Sequence, residues 1–145
     1  MGNGKALQDI LSETLIYSGI ELNCSDILVS NENYGNICYN NIGNQRFRTL
    51  VEFYVSKYYM ALTKKEKAQH VSTIFEIIRG ARSPGRFFKR SSETWLWIQI
   101  NEHEAKEYIR KCLQAAVGTL GFEDKKNIRH FFDKIVTCNN EVNEV

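Results

Sequence analysis

The chain has 145 residues, a formal net charge of +2, 43% hydrophobic residues and 25% charged residues. That length suits one domain with one core, burying roughly 68–70% of the unfolded chain's surface, and the composition is that of an ordinary soluble globular protein rather than a fibrous, disordered or membrane-embedded one. So small a net charge excludes a function carried by a whole-protein field, and any contact with a polyanion has to come from local clustering.

The segment 1–6 does not read as a signal peptide, because no long apolar run follows it. Ala6 stands where a myristoylation sequence wants Ser or Thr. No stretch approaches the roughly 20 apolar residues of a membrane span. A first helix is expected over 5–17, with Leu7, Ile10, Leu11 and Leu15 on one face and Gly19 as its stop. From 23 to 44 the chain is crowded with Asn and Gly, which tolerate left-handed backbone and favour turns. Two apolar pieces, at 27–29 and 37–39, are candidate short strands within it.

The pattern then turns helical. Asn44 is the expected N-cap of a helix carrying Phe47, Leu50, Val51, Tyr54, Val55, Tyr58 and Leu62 at the spacing of one apolar stripe. Arg46 and Arg48 sit in its first turn, where the helix end is already partly positive, and so invite an anion. Thr63 with Glu66 forms a capping-box pattern for the next helix, whose core face is Ala68, Val71, Ile74, Phe75 and Ile78. Lys64, Lys65 and Lys67 lie at its start, where a solvated face is the plainer expectation.

The stretch 79–100 organises the rest. Arg79, Arg82, Arg86, Lys89 and Arg90 sum to +5 with no acid between them. Ser83-Pro84-Gly85 marks a turn. Two strands are expected at 86–90 and 95–100, with one hairpin face entering the core and the other presenting Arg, Lys and an aromatic ring. A helix over 102–117 follows, with Ala105, Tyr108, Ile109, Cys112, Leu113, Ala116 and Val117 as its stripe. A last helix over 123–137 turns Ile128, Phe131, Phe132 and Ile135 inward. The expected fold is α+β: about five helices and a small antiparallel hairpin. One globular domain is expected over 1–138, with a flexible acidic tail over 139–145.

Three pieces resemble an uncharacterised domain family of diatoms and other protists, a domain of unknown function. The first is Asp26-Ile27-Leu28, leading to Gly43-Asn44-Gln45-Arg46-Phe47-Arg48. The second is Gly85-Arg86-Phe87-Phe88-Lys89-Arg90. The third is Leu96-Trp97-Ile98-Gln99-Ile100. The likeness runs from about 26 to 114 and implies no activity. The chain departs from it at Ser30-Asn31-Glu32, where the family has Gly-Arg-Gly, and at Asn41-Ile42, where it has His-Pro. More distantly, the whole chain is similar to the small accessory subunit of the ciliate DNA adenine-N6 methyltransferase complex. That resemblance implies a nuclear, non-catalytic subunit that helps other chains hold DNA.

No Gly-rich cofactor loop, P-loop, nucleophile elbow or His-Glu-x-x-His is present, so no catalytic residue, cofactor or small-molecule substrate is expected. Cys24, Cys38, Cys112 and Cys138 have no metal-type spacing and are expected to be reduced thiols; no metal site is expected. The expected function is DNA binding, to double-stranded DNA, through Arg46, Arg48, Arg79, Arg82, Arg86, Lys89 and Arg90, because basic side chains neutralise phosphates and release counterions. The alternative expectation is a protein-interaction subunit that makes no contact with nucleic acid. An exposed apolar patch of several hundred Å² would favour it.

Overall fold

The computed structural model describes residues 22–29 and 39–143, with backbone alone from 138 onward. The expected helix over 5–17 and most of the 37–39 piece lie outside the described residues. In chain order the elements are β1 (Ile27–Val29), α1 (Ile42–Met60), α2 (Lys64–Arg79), β2 (Phe87–Arg90), β3 (Trp97–Gln99), α3 (Glu102–Gly118) and α4 (Phe122–Asn143). The fold is α+β and mostly helical. Among the described residues no helix is long and apolar enough to cross a membrane.

The caps explain two of the helix starts. The Thr63 side chain accepts from Glu66 N at 3.1 Å, and the Glu66 carboxylate accepts from Leu62 N at 3.0 Å. Asn101 accepts from Glu104 N at 2.9 Å and starts α3 in the same way. Asn44 is not a cap. The helix begins at Ile42, and Asn44 is fully buried inside its first turn, where it serves the sheet instead.

The sheet has the order β1-β2-β3. β2 and β3 form the expected antiparallel hairpin, pairing Phe88 with Gln99, Lys89 with Ile98 and Arg90 with Trp97. β1 adds in parallel to the other edge of β2, with Ile27 opposite Phe87 and Val29 opposite Lys89. Side chains alternate across a strand, so the sheet has two faces. Ile27, Val29, Phe87 and Ile100 join the main core with Phe47, Ile74, Tyr108 and Ile109. Phe47 sits at its centre, stacked on Tyr108 and edge-on to Phe87. Leu28, Phe88 and Trp97 turn to the other face and bury there with Leu22 and the half-buried Tyr39.

That second cluster corrects the expectation of one apolar face and one basic face. Both faces bury large apolar side chains; Arg86 precedes β2, Arg90 ends it, and Lys89 is half-buried within it. A second correction concerns α4. Ile128 and Phe132 are half-buried, but Phe131 and Ile135 are exposed rather than inward. Among the described residues the helix packs chiefly against α1, which leaves Phe131, Ile135 and Val136 exposed. Its backbone also stays helical through Asn143, into the stretch expected to be a tail.

Candidate functional site

The residues of the expected basic site divide into those with an anionic partner and those without one. Arg86 belongs to the first set. Asp26 has no solvent exposure, and it accepts from Arg86 Nη2 at 2.8 Å, Arg86 Nε at 3.1 Å and Arg86 N at 3.2 Å. Asn23 N adds a fourth donor at 2.9 Å. A carboxylate removed from water needs such a set of partners, because burying it unpaired costs several kcal/mol. The Asp26–Arg86 pair therefore closes the loop before β1 onto the start of β2.

The neighbouring motif residues complete that lock. Asn44 Oδ1 accepts from Leu28 N at 2.9 Å, and Asn44 Nδ2 donates to Leu28 O at 3.0 Å. One side-chain amide thus stands in for a neighbouring strand at the β1 edge. Asn41 Nδ2 donates to Asp26 O at 2.6 Å and to Cys24 O at 3.2 Å. Gly43 lies so close to this loop that a Cβ there would sit 2.2 Å from Asp26 O and 2.4 Å from Ser25 O. The Gly-Asn motif exists because backbone must touch backbone at this point.

Arg79 is held by Glu76 at 2.6 Å and reaches Glu102 at 3.4 Å. Lys89 reaches Glu104 at 3.3 Å. Arg48 donates to the Tyr39 carbonyl at 3.5 Å. Arg46 donates to Ser83 O at 3.3 Å from both terminal nitrogens, pinning the turn before β2 to α1. Arg82 is exposed, on that same turn. Among the described residues, Arg46, Arg82 and Arg90 have no carboxylate partner.

Arg90 lies instead over two indoles, 5.0 Å from the Trp97 ring and 5.5 Å from the Trp95 ring. Arg90 Nε and Trp97 Nε1 are both buried without an acceptor. Trp95 is 68% exposed and is the one described non-glycine residue with positive φ, at 61°. A left-handed backbone costs a residue with a Cβ roughly 1–2 kcal/mol. The core does not require that strain, since Trp95 contributes nothing to it. It points the indole outward at the hairpin end, beside a guanidinium.

The other surface feature is α4. At about 100° per residue, Ile128, Phe131, Phe132, Ile135 and Val136 fall within an arc of about 140°. Phe131 is 61% exposed, Val136 55% and Ile135 41%. Large side chains gathered on one arc and left in water mark a contact surface more often than scattered apolar residues do. Sequence periodicity shows the stripe but not which of its residues a neighbouring element covers.

Cys112 is buried and free, and burial pushes its thiol up to about 12. Cys24 is free and exposed. Cys38 and the Cys138 side chain lie outside what is described.

A family model described as a domain of unknown function (DUF6824) matches residues 26–115, more than half of the chain. The span takes in the Asp26–Arg86 lock, all three strands and α1 to most of α3, and it stops short of α4. No curated protein and no solved structure matches the chain.

Proposed function

We infer the role of this chain, which belongs to the DUF6824 family, from its two uncommitted surfaces: it is a non-catalytic accessory subunit that docks a protein partner on the apolar arc of α4. The exposure of Phe131, Ile135 and Val136 on one side of a single helix carries this reading. A partner helix laid along that arc would bury all three, and each fully covered side chain contributes about 1.5–3 kcal/mol. Three of the cations expected to contact a polyanion, Arg79, Arg86 and Lys89, are engaged by carboxylates of the chain itself.

The test is affinity capture from native extract with the wild type, with Phe131→Asp/Ile135→Asp, and with Arg82→Glu as a surface control. The double variant is expected to keep its helical content and lose a partner that the control retains. If all three proteins capture the same set, the docking role of α4 fails.

A second reading rests on the hairpin end. An exposed, strained indole stacked with an arginine supports nucleic-acid contact by stacking and phosphate neutralisation, and Arg46 and Arg82, at the other end of β2, have no carboxylate partner among the described residues. Three phosphate contacts would lower affinity about fortyfold between 50 and 200 mM salt. Anisotropy of a labelled DNA duplex and a labelled single strand, each at both salts, measures this. A flat salt response removes the reading, and the DNA methylation role goes with it. The two readings are compatible in one nuclear accessory subunit, which binds DNA by one surface and the other chains of a complex by the other.

A further inference from the structure

A cleft of about 420 Å³ runs between α2 and α3, with Tyr58 of α1 at its base. Its walls are mainly apolar, formed by Ala68, Val71 and the stems of the basic side chains. Its charge is one-sided. Lys64 and Lys67 enter from α2, and Lys106 and Arg110 from α3. Glu107 is the one lining acid, and Arg110 already bonds it. Lys106 is engaged by Glu102 at 2.8 Å. Lys64 and Lys67 have no carboxylate partner among the described residues; the Lys67 ammonium lies 5.5 Å from the Tyr58 ring centre.

Two lysines in the first turn of a helix repel each other and the positive end of the helix. Glu66, the acid of that turn, is spent on the cap at Leu62 N. Lys64 and Lys65 are exposed, as a solvated face would be, but Lys64 and the half-buried Lys67 also line a cleft of ligand size, within the roughly 300–1,000 Å³ typical of small-molecule sites. Ser72 and Gln114 add hydrogen-bonding groups to otherwise apolar walls.

We propose that this cleft binds a free small molecule made of a planar apolar body and a phosphate, with the phosphate between Lys64 and Lys67 and the body on Ala68 and Val71. Lysine meets phosphate as a point charge and tolerates varied geometry. The apolar wall selects against phosphate alone. The site is separate from α4 and from the hairpin end, so it stands or falls independently of the docking and nucleic-acid readings.

The probe is 1-naphthyl phosphate, followed by amide NMR shifts on the full chain, with 1-naphthol and inorganic phosphate as its two halves. Shifts are expected at Val71, Ser72, Arg110 and Gln114. Affinity for the whole molecule should exceed that for either half at least about tenfold, which is one factor of 1.4 kcal/mol. Lys64→Glu/Lys67→Glu should weaken it at least about tenfold while helicity is kept, because glutamate suits a first helical turn. Lys126→Glu on α4 should change nothing. Equal binding of 1-naphthol would mean apolar adhesion and overturn the proposal. So would an undiminished affinity in the lysine variant, or binding to phosphate-rich lipid vesicles without these shifts.

Discussion

Asp26 has no contact with water and one cationic partner, so its contribution can be isolated by a change of a single atom. Asp26→Asn keeps the shape and removes the charge, leaving Arg86 half-buried beside a neutral amide. Breaking a fully buried pair costs about 3–5 kcal/mol, and the 34% exposure of the Arg86 side chain lowers that to about 2–4. Urea unfolding should show that loss as a shifted midpoint at constant slope, and a change below about 0.5 kcal/mol would show that the pair is not the lock described. The same geometry makes Arg86→Glu a poor probe of DNA binding, since it sets two carboxylates against each other in a buried site. Gly43→Ala tests the neighbouring contact. Its new methyl would meet backbone on two sides, which cannot swing away, so a loss of at least about 3 kcal/mol is expected.

Cys112 gives a pH signature at the same scale. Its folded pKa, about 12, lies above the ordinary value of 9.0, and burial is the cause. The folded chain keeps a proton that the unfolded chain gives up. The contribution is therefore complete below pH 9.0 and is lost as pH rises toward about 12. The slope is about 1.4 kcal/mol per pH unit. Cys112→Ala should remove this part of the alkaline fall in stability, measured as the difference between the two denaturation profiles. Parallel profiles would show that the thiol ionises as readily folded as unfolded.

At the scale of elements, the hairpin end sets folding against function. Trp95 holds a left-handed backbone that glycine adopts without cost. Trp95→Gly should leave stability within about 1 kcal/mol of the wild type, since relief of strain offsets the lost stacking on Arg90. Nucleic-acid affinity should still fall at least about threefold if the hairpin end makes the contact, because a stacked base contributes about 1–3 kcal/mol. A variant that binds as well as the wild type would leave the strain without a functional reason. The helices themselves were legible in the sequence. Stripes such as Val71, Ile74, Phe75 and Ile78 repeat over enough turns to fix a period, and caps such as Thr63 are local chemistry. The sheet was legible only in part. A three-residue strand is too short to show which face is buried, so the second cluster around Phe88 and Trp97 left no signal. Arg86 read as a surface cation because its partner, Asp26, is distant in the chain, and a run of charges records only near neighbours. The motif residues Gly43, Asn44, Gly85 and Arg86 were visible as a pattern. Their structural purpose was not, since Gly43, Asn44 and Gly85 act on backbone, and Arg86 on a carboxylate, that folding brings to them.

For the whole molecule, the question is whether α4 belongs to the fold or is carried by it. β1, β2 and the first three helices share the main core centred on Phe47, and the family match ends before α4 begins. α4 lends that core no fully buried side chain among its described residues. Its contribution comes from the half-buried Ile128 and Phe132 and from Lys125 and Arg129 over the Tyr59 ring of α1, at 5.8 and 5.4 Å. Two half-covered apolar side chains and two exposed cation–π contacts contribute about 2–3 kcal/mol together. Removing residues 120–145 should therefore leave a chain that still unfolds in one cooperative step, with a midpoint lower by no more than that loss implies. It should also abolish partner capture as fully as Phe131→Asp/Ile135→Asp does. If the shortened chain instead loses cooperativity, α4 is a supporting wall of the core, and its exposed arc has to be explained by folding rather than by a partner.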